Sequence, residues 1–407
     1  MGVCCHFMLN RRIRKAIEVP MEFVTFLLAY YLFFSVMYKS RRRENIIGLG
    51  HHWFNENIKY LYRELEEHDC ITVYFVTGNK AELARLKSSN VKVYYSRDPR
   101  NVPLFLRTKI WVTSSGHSYI PFAYAQVILR RFFGIRVNKW VDVWHGGIGF
   151  KHVGREEQLA DYDLGFVTSQ FFLQYYSKKT GISKKLRITG NPRMDPLIKK
   201  AFSREEVLED IGVPRNRKNI FYAPTRAHKN EKPFFLLERT ENIINDLERF
   251  CDKNNCNFLV RMHPWHYATN HEKIRKLDEK INRSKNMFVL SPEKYVDVQG
   301  ILYVSDILVT DWSGIANDFI LLDRPIIFLD VELPVQEFKL TPEDRVGYIV
   351  KGKKEFFEKL QEAVDHPKLF EEEFGEKRKA LIKKSYKYLD GNSSRRCTQE
   401  IIKLLKQ

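Results

Sequence analysis

Short apolar runs alternate with amphipathic stretches through most of the chain, and that alternation fixes the expected elements. Runs at 45–49, 72–76, 91–95, 109–113, 140–144, 164–167 and 187–189 have the length and β-branched or aromatic content of strands. Stretches such as 57–67 and 80–88 space their apolar residues as one face of a helix. After a polar, charged stretch at about 199–218 the pattern restarts. Strands are expected at 219–222, 258–261, 287–290, 306–309 and 326–329, with helices at 234–254, 296–304 and 313–322. The chain beyond 354 reads as charged, Lys-rich helix. Strands that alternate with helices build parallel sheets covered on both faces. The expected fold class is therefore α/β, with two doubly wound Rossmann-like domains in tandem facing a ligand cleft. The domain expectation is a basic and apolar segment at 1–43, a first domain at 44–200, and a second at 201–407 that includes the helical tail.

One apolar run breaks this rhythm. Residues 21–38 read MEFVTFLLAYYLFFSVMY, interrupted only by Glu22, between Arg11, Arg12, Arg14 and Lys15 on one side and Lys39, Arg41, Arg42 and Arg43 on the other. About 20 residues cross a bilayer core, so the run is borderline in length. Equally basic flanks give no orientation, and the absence of a small-residue cleavage site argues against a signal peptide. Three arrangements fit: a helix lying in the membrane interface, a single spanning helix, or a helix buried against protein.

Composition narrows the function classes. The 407 residues are 44% hydrophobic with 15 Pro and 20 Gly, which excludes a low-complexity or collagen-like chain. A formal charge of +18 points to an anionic partner: nucleic acid, membrane or phosphorylated substrate. No RNA-recognition signature and no interleaving of cations with aromatics supports nucleic acid. Cys4, Cys5, Cys70, Cys251, Cys256 and Cys397 form no Cys-x-x-Cys pair, so the expectation is a reducing compartment, no structural metal and no cofactor.

Polar motifs fall where strands are expected to end, the place where open α/β sheets bind ligands. Trp144-His145-Gly146-Gly147 presents a histidine suited to deprotonate a hydroxyl, with glycines that let substrate approach. Arg261-Met262-His263-Pro264 combines two anion-binding side chains. Thr310-Asp311-Trp312-Ser313-Gly314 opens a helix, whose free amides and hydroxyls suit phosphate; the same residues also make an ordinary N-cap. Tyr222-Ala223-Pro224-Thr225-Arg226 and Gly190-Asn191-Pro192-Arg193-Met194-Asp195 each offer an arginine. Asp161-Tyr162-Asp163 matches the Asp-x-Asp of metal-dependent sugar transferases, but so short a match arises often by chance. His263 and His266 lack the glutamate of a helical zinc site.

In this order the segments resemble the CDP-glycerol glycerophosphotransferase family of teichoic-acid primases and polymerases. The likeness runs from about 141 to 396, through Asp318-Phe319, Asp323-Arg324-Pro325, Asp390-Gly391 and Arg395. The resemblance implies a GT-B-like peripheral membrane enzyme on the cytoplasmic face of the cell membrane. Its first domain would present a lipid-linked or polymeric acceptor and its second would hold a CDP-alditol. It implies catalytic roles for His145 and for His263 near the donor phosphates. Arg261, Thr310, Asp311, Ser313, Gly314, Arg226 and Asp318 would bind the donor, and Gly146, Gly147, Lys151 and Arg193 would face the acceptor. The family commonly has a second serine where Gly314 stands, and Thr-Pro-Leu-Lys where this chain has Gly147-Ile148-Gly149-Phe150-Lys151. The expected reaction is transfer of glycerol phosphate from CDP-glycerol with release of CMP. Ribitol-phosphate transfer, or sugar transfer by a GT-B glycosyltransferase, are the alternatives.

Overall fold

Apolar runs with no polar alternation need cover on both faces, and the structure supplies it in two parallel sheets. The computed structural model describes residues 21, 24, 26, 27, 45–114, 116–144, 149, 150, 156–225, 240–269, 271–331 and 339–407. The first sheet has seven strands: β1 (Ile46–Gly50), β2 (Thr72–Thr77), β3 (Val93–Tyr95), β4 (Ile110–Thr113), β5 (Lys139–Asp142), β6 (Leu164–Val167) and β7 (Leu186–Ile188). Their order is β3-β2-β1-β4-β5-β6-β7, all parallel. The second has six: β8 (Lys218–Tyr222), β9 (Cys256–Val260), β10 (Met287–Val289), β11 (Ile307–Thr310), β12 (Ile326–Leu329) and β13 (Tyr348–Val350). Their order is β10-β9-β8-β11-β12-β13, again all parallel. In each sheet the strand order reverses once, between β1 and β4 and between β8 and β11. Those are the topological switch points beyond which such sheets bind ligands.

Every residue of β1 is buried, as a central strand between helical layers requires. Its glycines are demanded by close approach: a Cβ on Gly48 would stand 2.3 Å from the Trp111 ring, and one on Gly50 2.4 Å from the Tyr119 carbonyl oxygen. Helix Glu56–Glu66 lays Ile58, Leu61 and Leu65 on this sheet.

Several elements differ from expectation, three of them as follows. The strand expected at 140–144 ends at Asp142, because the Asp142 carboxylate accepts the Trp144 amide at 2.5 Å and Trp144 takes φ +54°, leaving the extended region. The helix expected at 313–322 is a short α-helix, Ile315–Phe319, followed by a 3-10 turn, Ile320–Leu322. Strand β13 lacked an apolar run long enough to announce it.

The tail is helical over Lys353–Asp365, Leu369–Ser385 and Ser393–Lys406. Its last helix packs on the first sheet. Cys397 and Ile401 join the core of the first sheet, and Lys139 Nζ donates to the Leu404 carbonyl at 2.8 Å. The Asp195 carboxylate accepts from the amides of Ser393 and Ser394 at 2.8 and 2.7 Å, capping that helix.

Met21, Val24, Phe26 and Leu27 are helical; the rest of 1–44, and so most of the apolar segment, lies outside the described residues. Among the described residues no helix is long and apolar enough to cross a membrane.

Candidate functional site

The polar segments at the strand ends are held by one another. Beyond β5, Asn57 of helix Glu56–Glu66 donates to the carbonyls of Val143 and Trp144 at 3.0 and 2.8 Å, and its side-chain oxygen accepts the Arg193 amide at 3.0 Å. Fully buried, Asn57 thereby positions the chain entering His145. The residues His145, Gly146, Gly147, Lys151 and Arg226 lie outside the described residues.

At the β8/β11 switch point two loops are stitched together. The buried Thr310 hydroxyl donates to the Ala223 carbonyl at 2.7 Å, and the buried Asp311 carboxylate accepts the Thr225 amide at 2.8 Å. The Thr310 hydroxyl, expected to bind a diphosphate, here bonds the neighbouring loop. Asp311 likewise shapes that loop. Burial raises the Tyr222 hydroxyl well above its ordinary pKa, and Asp311 adds to the effect.

Arg261 follows β9, and its guanidinium reaches the carbonyls of Leu290, Tyr295 and Val296. Burial pulls it down to about 10, against the attraction of Asp297. The side chain, expected to contact the donor, organises the 290–297 loop in this structure. That loop in turn meets the first half of the chain. Asp297 pairs with Lys59 Nζ and accepts the Tyr60 hydroxyl, both at 2.6 Å, and Asn55 donates to the Val296 carbonyl at 3.2 Å.

Two more of the expected site residues pair with each other. Arg193, expected to face the acceptor, pairs at 2.9 Å with Asp318, expected on the donor side, and at 3.0 Å with Glu56. Gln299 also donates to Asp318 at 3.3 Å. Burial pulls the Arg193 guanidinium down, but Asp318 and Glu56 outweigh it and the net shift is upward, as for a charged arginine in an ionic clamp. Of the described candidates, His263 is exposed and Ser313 and Gly314 are partly so. These three stand at the ends of β9 and β11.

The segments that follow β5 and β11 touch. Phe150, which follows His145 in the chain, packs edge-on against Trp312 at 5.9 Å and Phe328 at 6.2 Å. Buried Lys339 gives its amide to the Phe150 carbonyl at 2.8 Å and sets Nζ 5.9 Å from the rings of both Trp144 and Tyr176. Sequence reasoning missed Asn57, Glu56 and Lys339; an isolated polar residue in an apolar context was the only available signal. It also passed over His51 and His52, which follow β1 at the first switch point, with His52 exposed. Burial lowers the His52 imidazole pKa, with Glu82 opposing.

The Asp161-Tyr162-Asp163 segment is structural. Asp161 pairs with Arg131 at 2.7 Å, and Asp163 holds Arg130 and the Trp140 amide. Among the described residues no three His, Cys, Asp or Glu side chains gather to hold a metal.

These features define a double-Rossmann α/β protein whose strand-end motifs from both sheets converge through direct contacts. The chain belongs to the CDP-Glycerol:Poly(glycerophosphate) glycerophosphotransferase family, which matches residues 32–403. It is 28% identical over 294 residues to the teichoic acid ribitol-phosphate polymerase TarL of Staphylococcus aureus, covering 65% of this chain and 48% of that protein. To the teichoic acid glycerol-phosphate primase of Bacillus subtilis it is 25% identical over 278 residues, covering 63% and 66%. The chain thus spans about half the length of the curated relatives it matches first. The solved structure of the wall teichoic acid polymerase TagF superposes with a TM-score of 0.72 at 17% identity, over 98% of each chain. At that identity the likeness speaks for the fold.

Proposed function

We propose that this protein transfers an alditol phosphate, glycerol phosphate in the first instance, from its CDP derivative to a hydroxyl of a lipid-linked or polymeric acceptor in teichoic-acid-like polymer synthesis. His145 takes the proton as the acceptor oxygen bonds to the β-phosphorus. The bond from that phosphorus to the bridging oxygen breaks, and CMP leaves. His263, Ser313 and the Gly314 amide hold the phosphates, in a GT-B-like arrangement. Phosphoryl transfer depends mainly on positioning and on stabilising charge, which suits a basic site. Thr310, Asp311, Arg261, Asn57 and Arg193 position these groups by fixing the loops that bear them. The observation that carries the reading is the Phe150–Trp312 contact, which sets the chain beyond His145 against the Trp312-Ser313-Gly314 segment. The apolar segment 21–38 with its basic flanks supports peripheral membrane association.

The test is CMP release from CDP-glycerol with a polymeric acceptor. Loss of a general base costs roughly 10²–10⁴-fold in rate, so His145→Ala is expected to lose turnover at that scale while still binding CDP-glycerol in equilibrium dialysis. Full activity in that variant overturns the assignment. A ribitol reading is favoured by the matches to ribitol-phosphate polymerases; preferential turnover of CDP-ribitol over CDP-glycerol decides for it.

A further inference from the structure

One group of charged side chains surrounds a shared space without closing it. At the C-terminal end of helix Glu56–Glu66 lies an open cavity of about 410 Å³, lined almost wholly by polar groups. Glu64 comes from the last turn of that helix, with Glu67 and His68 just beyond it. Lys199 follows the short helix Asp195–Ile198, and Asn392 and Arg395 come from the start of helix Ser393–Lys406. Neighbouring cations along the same stretches are paired: Arg63 with Glu66 at 3.0 Å, Arg396 with Asp390 at 2.8 Å and Lys403 with Glu400 at 2.6 Å. The cavity's Glu64, Glu67, His68, Lys199 and Arg395 close no ion pair and no side-chain hydrogen bond with any described residue.

The walls are held from behind. Asp195 also borders the cavity, but its carboxylate accepts from the amides of Ser393 and Ser394 and from the Ser394 hydroxyl, at 2.8, 2.7 and 2.7 Å. Its oxygens therefore serve the helix start. Gly391 takes φ +67°, and a Cβ there would stand 2.7 Å from Lys199 Cγ, so the turn lies directly against the lysine stem. Burial raises the Glu64 carboxyl and Glu67 adds to the rise, while His68, Lys199 and Arg395 pull it down. The cations thus act on Glu64 across the space without touching it. Two carboxylates repel a bare phosphate dianion, and no Phe, Tyr or Trp lines the space to stack a nucleotide base. A phosphodiester flanked by hydroxyls matches it. Such a group brings one negative charge for Lys199 and Arg395 and hydroxyl protons for Glu64 and Glu67.

We propose that this cavity is a second binding site, apart from the transfer chemistry, for a hydroxylated phosphodiester: the alditol phosphate unit of a polymeric acceptor. The phosphate lies between Lys199 Nζ and the Arg395 guanidinium, and the flanking hydroxyls donate to Glu64 and Glu67. Helix Glu56–Glu66 is about 15 Å long at 1.5 Å per residue. Its other end carries Asn57, which holds the carbonyls of Val143 and Trp144 ahead of His145. An acceptor of several units can therefore reach both ends of one helix. Holding it at this second point raises the local concentration of its free end where transfer occurs. The identity of the ligand rests on the transferase reading, whereas the site itself rests on the cavity and its open charges.

The experiment uses the full chain with short and long oligo(glycerol phosphate). Wild-type KM for the acceptor, read from CMP release, is expected to fall as the oligomer lengthens. Lys199 and Arg395 are both exposed, so Lys199→Gln/Arg395→Gln leaves the core intact. That variant is expected to bind the long oligomer about tenfold more weakly in equilibrium dialysis without donor, and to lose the dependence of KM on length. Equal binding by variant and wild type, or an equal change in KM on short and long acceptors, overturns the site. Inorganic phosphate that displaces the long oligomer from the wild type as well as glycerol phosphate does would assign the cavity to bare anions and overturn its ligand. Absence of CMP release from the wild type, with the dialysis difference intact, overturns the transferase reading and leaves the site standing.

Discussion

Arg193 and Asp318 lie 125 residues apart in the chain and join in a buried ion pair at 2.9 Å. Arg193 follows β7 of the first sheet, and Asp318 lies in the short helix after β11 of the second. Glu56, at the start of the helix that also supplies Asn57, completes the clamp from the other side of Arg193. The pair thus fastens the two Rossmann units behind the loops that bear the candidate site. Removing one partner of a buried pair strands the other charge, which costs about 3–5 kcal/mol. Arg193→Met is therefore expected to lower unfolding stability by about that amount in urea titration. Arg193→Met/Asp318→Leu is expected to recover most of the loss, because no charge is left buried on the second sheet and Glu56 has water within reach. A double variant no more stable than the single one would show that the ionic contact itself holds the units together.

The sheets were legible in the sequence for a physical reason. A parallel strand buried on both faces must be apolar throughout, so runs such as Leu164–Val167 and Ile326–Leu329 announce themselves with nearly correct ends. The site was legible as positions and not as directions. Thr310, Asp311, Arg193 and Asp318 stand where strand ends place them, yet each side chain turns to a partner tens of residues or more away. A motif does not encode that choice, since a buried hydroxyl or carboxylate bonds whichever group the tertiary fold brings within 3 Å. Asn57 and Lys339 were invisible for the same reason: their importance lies wholly in what packs around them.

Thr310 offers a sharp test of this distinction. Its hydroxyl donates to the Ala223 carbonyl at 2.7 Å with no exposure to solvent. Thr310→Val keeps the shape and strands that carbonyl, at a cost of about 1–3 kcal/mol in thermal or urea unfolding. Thr310→Ser restores the bond. If the hydroxyl served the donor, Thr310→Val would instead raise KM for the CDP-alditol at unchanged stability. The structure predicts the first outcome, with KM within about twofold of wild type.

Asp278 gives a pH signature. It lies half-buried on helix His271–Ile281, and burial raises its carboxyl from the ordinary 3.8 to about 6. The folded protein therefore holds this proton more tightly than the unfolded chain. Between about pH 4 and pH 6 the unfolded state releases it first, and this group's contribution to stability falls as pH rises. Above that window the native state carries an ill-solvated carboxylate. Asp278→Asn is expected to gain about 1 kcal/mol at pH 7, after allowance for solvent screening of a half-exposed group, and to gain nothing at pH 4. Urea titrations of both proteins at the two pH values check the sign. A gain at pH 4 equal to that at pH 7 would exclude the carboxyl as its source.

Lys339 brackets the segment that holds His145. Its amide fixes the Phe150 carbonyl at 2.8 Å on one side, and its ammonium lies 5.9 Å from the Trp144 ring on the other. The same ammonium lies 5.9 Å from the Tyr176 ring. A cation held over aromatic faces away from water is worth about 2 kcal/mol. Lys339→Met removes the charge while retaining most of the packing volume, and is expected to lose about that much in urea unfolding. Lys339→Arg, which keeps a cation over the rings, is expected to retain most of it. A Lys339→Met variant as stable as the wild type would assign the residue to packing alone.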